Sequence, residues 1–533
     1  MAADLIVLNA SVLTQDATRP EANAVAVLGD RIAFVGNEAE VSSLRGDNTI
    51  ILDGGGKTLM PGIIDSHFHL LWGSLRLNDV QLEGVRGLSG LTDAIQTYKK
   101  ANPDAPWLRG SGLSYDVLGD ERLTRQHLDA ILPDTPLALT CFDFHTLWCN
   151  TAALKAAGLL HGAEVEGNAE VVVDEDGLAT GELREFEAMD LVYDLIPEAS
   201  EKERLELLRR GINLAHSYGI TSVHNMNGDK DEFAQYQKLD EAGELSLRIY
   251  MPYRMSPHAP LSAIQDEAVA MRDGYSSDFL RAGALKLFMD GVVESYTAFL
   301  LEPYANADTK GQAIFEAEHF NEIVCRADAE TLQISVHAVG DAAVRRALDG
   351  FSAARRTNGV RDSRHRIEHI ELLHPNDVRR FNDIGVVASM QPYHCTRPEA
   401  DYLSSWLKFV PERRYRDSFP WQTLRQAGTH LSFGSDWPVV TLNPFVGFGA
   451  AVNRQPWLED LPSEAQTMDA TLAAYTTDAA YTEFKEREKG QLKEGFLADM
   501  VLLSEDITTT PAENLANLQA DVTVSGGNIV VQR

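Results

Sequence analysis

Cysteine is scarce in this chain of 533 residues. Cys141, Cys149, Cys325 and Cys395 are scattered and form no CxxC pair. That excludes a disulfide framework or a thiolate zinc site as the organising device. Positive charge is also short. Lys and Arg number 47 against 79 Asp and Glu, a formal net charge of −32, and arginine outnumbers lysine. This balance argues against sequence-independent binding to nucleic acid or to an anionic membrane surface. An acidic, lysine-poor surface suits a salt-rich cytoplasm, and a high-GC codon bias explains the lysine deficit equally well. Long apolar runs are missing, so no transmembrane span is predicted. The opening "MAADLIVLNASVLTQD" lacks the basic start and apolar core of a signal peptide. The expected location is the cytoplasm.

What the chain does have is apolar residues, at 44%, and more length than one ordinary domain needs. The first sixty or so residues read as short β-rich runs divided by Gly, Asn and Asp turn signals: "DLIVLNASVLT", "NAVAVLGDRIAFVG" and "NTIILDGGGKTLMPG". The far end repeats the style in "ADMVLLSED" and "DVTVSGGNIVVQR", where "GGN" reads as a hairpin turn. Residues 1–61 and 488–533 are therefore predicted to meet in one composite β-sandwich domain. Between them, eight short apolar runs alternate with helical patterns: "GIIDSHFH", "ITSVHNM", "LRIYMPY", "ALKLFMDG", "LQISVHAVG", "HRIEHIELL", "VVASMQPY" and "HLSFGSDW". Eight strands with helical crossovers is the count of a (β/α)8 TIM barrel, assigned to 62–487. The interval after the first run is too long for a crossover. Residues 74–199 are read as an insertion on the first βα loop, expected to cover the active site.

Chemistry-bearing side chains collect at the ends of these runs. Run one ends in His67 and His69, run four holds Lys286 and Asp290, and run five ends at His337. Run six holds His369 and run eight leads into Asp436. Positions i and i+2 of a strand share a face, so His67 and His69 are predicted to face the barrel interior together. Imidazole and carboxylate suit zinc and similar divalent ions. Singly, each motif has a bland reading: an accidental HxH, a snorkelling lysine, a plain turn at "GSDW". Lys286 sits among apolar neighbours, however, and a buried free ammonium is costly. It requires either a carboxylate partner such as Asp290 or a chemical modification.

The motifs "PGIIDSHFHL", "ALKLFMDG", "SVHAVGDAAV", "RIEHIELL", "SMQP" and "SFGSDWPV", in this order, resemble the metal-dependent amidohydrolase superfamily, and within it the YtcJ-like amidohydrolase-3 group with its N-substituted formamide deformylase-like enzymes. The resemblance extends over nearly the whole chain, "GQLKEGFLADMVLL" included. It implies two divalent metal ions, with zinc the first choice. His67, His69 and Asp436 would hold one and His337 and His369 the other, bridged by Lys286 carboxylated on its terminal nitrogen. The implied reaction is hydrolysis of a C–N, amide-type bond of a small molecule by a metal-bridging hydroxide, with Asp436 as general base and acid. Lactone, carbamate or cyclic amide hydrolysis would use the same groups. A deaminase of the superfamily is a nearer rival that commonly lacks the bridging lysine. A non-catalytic scaffold would be expected to have lost ligands that are present here.

Substrate contacts are assigned to Trp72, His145, His224, Asp290, Gln391, His394 and Trp437. For several of these an ordinary structural role is equally open. Asn150, beside Trp148, either lines the pocket or caps a helix starting near Thr151. The expected partners are a small-molecule substrate, no nucleic acid and no membrane, with a homodimer as the candidate assembly.

Overall fold

Alternating apolar residues at the two ends of the chain need a second sheet to bury against, and each end supplies it for the other. The computed structural model describes residues 2–142, 144, 146–165, 169–395 and 406–533. Strands Arg31–Gly36, Ala24–Leu28, Leu5–Leu8 and Ile50–Asp53 form a four-stranded sheet in that order. A six-stranded sheet mixes the termini: Met500–Leu503 runs antiparallel to Thr58–Pro61, with Val501 opposite Met60. Leu5, Val7, Val25 and Val27 from the first sheet share one core with Leu59, Met500, Val522 and Val524 from the second. The last hairpin turns through Gly526 and Gly527, with φ of 53° and 77°. Two consecutive left-handed residues are what a tight hairpin demands and what glycine supplies.

The predicted barrel is present. Its strands are β1 Ile63–Phe68, β2 Ile220–Asn225, β3 Arg248–Arg254, β4 Leu280–Phe288, β5 Gln333–Ala338, β6 Arg366–His369, β7 Val387–Met390 and β8 Leu431–Phe433. They lie side by side in sequence order, each parallel to the next. Crossover helices cover the outside. In Asp341–Asn358, the buried Ala343, Val344, Ala347, Leu348, Phe351 and Ala354 form one stripe at helical spacing, and the helix stops at Gly359. Inward positions carry polar groups: Ser335 and His337 alternate with Ile334 and Val336 on β5, and Arg366 and Glu368 flank Ile367 on β6. The barrel and sandwich form one compact unit, Met1–Leu70 with Ile212–Arg533. A buried bidentate pair joins them, Arg248 donating to Asp499 at 2.6 and 3.0 Å.

The second unit, Leu71–Gly211, is wider than the 74–199 expected from sequence. It has its own six-stranded mixed sheet, centred on Leu108–Leu113, Leu137–Cys141, Thr146–Cys149 and Ala179–Arg184. Its two cores include Leu91, Leu108, Leu139 and Trp148 in one and Leu147, Leu154, Leu183 and Met189 in the other. Asn150 caps helix Thr151–Ala156 by accepting from Ala153 N at 2.9 Å, so the capping alternative holds. No helix among the described residues is long and apolar enough to cross a membrane.

Candidate metal centre

Barrel closure builds the first half of the site. Asp436 N donates to His67 O at 2.7 Å and His69 N to Trp437 O at 2.9 Å. The "SHFH" and "GSDW" segments are thus laced backbone to backbone. The buried Asp65 carboxylate accepts from His67 N at 3.1 Å and Ser435 N at 3.0 Å, pinning the same junction. Gly434 is required there, since a Cβ would lie 2.4 Å from His67 N. Asp436 has φ 64°, a left-handed conformation that a non-glycine residue holds only when its surroundings enforce it. Its carboxylate consequently sits 2.9 Å from His69 Nε2 and 3.4 Å from His67 Nε2.

The second half comes from β5 and β6. Strict alternation would put His369 on the opposite face of β6 from Arg366 and Glu368. Positive φ at His369 and Ile370, 75° and 52°, breaks that alternation. The His369 ring centre lies 4.8 Å from that of His67 and 4.5 Å from that of His337.

Hydrogen bonds on the far side of the rings decide which nitrogens point inward. His67 Nδ1 lies 2.8 Å from Glu368 Oε2 and His369 Nδ1 lies 2.8 Å from Gln391 Oε1. Each therefore carries its proton on Nδ1 and has a bare Nε2. His337 Nε2 donates to Gly291 O at 3.1 Å, which bares Nδ1 instead. Histidines that ligate metals are oriented in this way, by a carboxylate or carbonyl behind them.

Electrostatics agree with this state. Burial, aided by the nearby Lys286, pushes His67 down to about 3 and His337 down to about 4, so both imidazoles are neutral. Burial alone would raise Asp436. Contacts with the surrounding His67, His69 and His369, among them the hydrogen bond to His69 Nε2 at 2.9 Å, outweigh it and hold the carboxyl well below its usual range. Neutral His67 and His337 imidazoles and an ionised Asp436 carboxylate are in the protonation state a divalent ion needs.

Lys286 is fully buried, and its Nζ has no hydrogen-bond partner among the described residues. Burial pushes it down to about 8. Asp290 is not its neutraliser. The Asp290 carboxylate accepts from the backbone of Val339, Gly340 and Phe299 at 3.0, 2.9 and 2.8 Å. Three N–H donors occupy it, so the predicted substrate contact is corrected to a clamp joining the ends of β4 and β5.

His224 is corrected too. It is fully buried and accepts from Arg366 Nη1 at 2.8 Å, inside the barrel. Gln391 orients His369, and the Trp437 ring packs on Phe68 at 5.0 Å. His394 stacks on His369 at 6.0 Å, with Nε2 3.6 Å from Asp436 Oδ2. Trp72 belongs to the second unit, where it packs on Phe144 at 4.7 Å. His145 lies outside the described residues. Sequence reasoning missed Arg366, Glu368 and Asp65, although "RIEH" shows two charges at strand spacing in an otherwise apolar run.

The donor set fits a metal. Ligand-capable atoms of His67, His69 and Asp436 lie within 4.8 Å of one another, and so do those of His369, His394 and Asp436. Lys286 Nζ, without a hydrogen-bond partner among the described residues and 4.9 Å from the Phe288 ring centre, is the buried group such a centre would absorb. Across the chain, the profile of the amidohydrolase family matches residues 51–531. The chain belongs to the amidohydrolase family. Among relatives, the protein LONG AFTER FAR-RED 3 of Arabidopsis thaliana is 32% identical over 94% of this chain and 87% of its own length. N-substituted formamide deformylase of Arthrobacter pascens is 27% identical over 99% of this chain and 98% of its own. An uncharacterized metal-dependent hydrolase from Pyrococcus furiosus superposes with a TM-score of 0.73 over 93% of this chain and 98% of its own, at 24% identity. Membership of the amidohydrolase family implies a divalent metal at this site.

Proposed function

We propose that this amidohydrolase cleaves an amide-type C–N bond of a small molecule. The observation that carries the reading is the convergence of His67, His69 and His369 on one ionised carboxylate, Asp436, with His67 and His369 oriented from behind by Glu368 and Gln391, next to a buried lysine whose Nζ has no hydrogen-bond partner among the described residues. The similarity to a formamide deformylase supports the amide class. His67, His69 and Asp436 would hold one ion, and His337 and His369 the other. Lys286, carboxylated on Nζ, would bridge them. Carboxylation converts a costly buried cation into an anionic oxygen donor. Divalent ions bound here supply Lewis acidity and make water nucleophilic at neutral pH. Asp436 takes the proton of the attacking water on its carboxylate and returns it to the leaving nitrogen. Zinc is the first choice of metal, the cytoplasm the proposed location and a homodimer the proposed assembly.

The test is metal analysis joined to a hydrolysis screen of N-acyl amines, N-acyl amino acids, N-substituted formamides and lactones. Close to two ions per chain and turnover of an amide support the proposal. Turnover of lactones alone would move it to ester-type chemistry, and absence of metal binding would overturn it. Asp436→Asn should cost about 10²- to 10⁴-fold in kcat. Near-normal turnover by that variant would remove Asp436 from the proton-transfer role.

A further inference from the structure

Beneath the proposed metal centre, the barrel axis is filled by a column of charged and polar side chains. Its top is His67, whose Nδ1–H donates to Glu368 Oε2 at 2.8 Å. Glu368 accepts from Arg366 twice, Nε to Oε1 at 2.5 Å and Nη2 to Oε2 at 3.0 Å. Arg366 Nη2 also donates to Ser389 Oγ at 2.6 Å and Ser66 O at 2.5 Å, and Nη1 reaches His224 Nδ1 at 2.8 Å. On the other side of that ring, His224 Nε2 lies 3.2 Å from Glu483 Oε1, an ion-pair contact without hydrogen-bond geometry. Glu483 is held by Lys489 Nζ at 2.5 Å and by Arg281 Nη2 at 2.6 Å. Lys489 also donates to Ser222 Oγ at 2.5 Å. Arg366, Glu368, His224, Glu483 and Lys489 are each no more than 4% exposed, and Arg281 flanks them from a partly exposed position.

Each hydrogen-bonded link, from His224 through Arg366 and Glu368 to His67, constrains the next. A guanidinium has donors only, so the His224 nitrogen facing Arg366 must be bare. The proton then sits on Nε2, the nitrogen facing the Glu483 carboxylate. If it moved to Nδ1, two N–H groups would confront each other at 2.8 Å. Arg366, held by His224 below and by Ser66 and Ser389 at its sides, presents its fork to Glu368. The bidentate pair leaves Glu368 one orientation, and Glu368 in turn fixes the His67 tautomer. The column crosses chain segments far apart in sequence: β1, β2, β6, β7 and the 483–489 connector that follows the last barrel helix. A buried ionic network placed only for stability has no need to end on a ligand imidazole.

We infer that Glu483, His224 and Arg366 are positioning residues for the metal centre, fixing the Glu368–His67 pair from the opposite end of the barrel. This inference rests on the proposed metal-dependent reading.

The test is Zn²⁺ affinity, measured by competition with a chromogenic chelator, with the thermal midpoint of the metal-free protein recorded alongside. His224→Phe leaves Arg366 Nη1 without an acceptor and should weaken Zn²⁺ binding about 10- to 100-fold. His224→Asn can place Oδ1 where Nδ1 stood and should stay within about threefold of the parent chain. If His224→Phe does not fold, Glu483→Gln takes its place and should weaken binding at least about tenfold. Parental Zn²⁺ affinity in the folded variants, whatever their thermal midpoints, would overturn the inference and leave the metal reading intact. Failure of the parent chain to bind Zn²⁺ would overturn both.

Discussion

His369 and Asp436 reach their positions through left-handed backbone, and His216 illustrates what burial does to an imidazole away from the site. Its Nδ1 lies 2.9 Å from Ile220 O and its Nε2 2.9 Å from Ser246 Oγ. Burial pushes its pKa down to about 4. The unfolded chain, with an ordinary value near 6.5, then binds the extra proton between about pH 6.5 and 4. The stabilising contribution is complete above that window and is lost as pH falls through it. On the order of 2 kcal/mol should disappear between pH 7 and pH 5. His216→Gln should flatten that part of the pH dependence, read as urea midpoints at the two pH values. An unchanged slope would show that His216 does not carry it. The six candidate metal donors stood out in the sequence because polar residues at the ends of apolar strands have few bland explanations. Asp290 and His224 were misassigned because their partners, the Val339–Gly340 backbone and Arg366, come from distant strands.

At the level of elements, the eight barrel strands fall within the eight apolar runs, apart from short extensions of β3 and β4. Fully buried parallel strands leave a continuous hydrophobic signature, and crossover helices leave a different period between them. The join between β8 and β1 left no such signature. It depends on Gly434, whose missing Cβ lets the "GSDW" segment approach His67 N. Gly434→Ala should cost at least about 2 kcal/mol through this clash and weaken metal binding by displacing His67. Calorimetry and chelator competition on the same preparation read both effects. A well-folded Gly434→Ala with parental affinity would show that the junction yields without disturbing the ligand.

On the scale of the whole molecule, both termini contribute to one sandwich that is fastened to the bottom of the barrel. Arg248, at the start of β3, pairs with Asp499, which also accepts from Gly526 N at 2.8 Å. Removing one partner of a buried pair strands the other charge. Asp499→Ala should therefore lower stability by about 3–5 kcal/mol, seen as a lower urea midpoint for the barrel and sandwich together. Separate transitions for the two would show that the pair does not couple them.

Short-range pattern by itself determined the strands, the composite sandwich and the long excursion after β1, and it offered six candidate metal donors, because strand period, turn chemistry and residue type are local properties. Only the tertiary structure decided which imidazole nitrogens face inward, which carboxylates are occupied by backbone N–H groups, and that a charged column runs through the barrel from His67 to Lys489. Those outcomes depend on hydrogen-bond partners up to several hundred residues away in sequence, such as Glu368 for His67, and no local pattern encodes such a pairing.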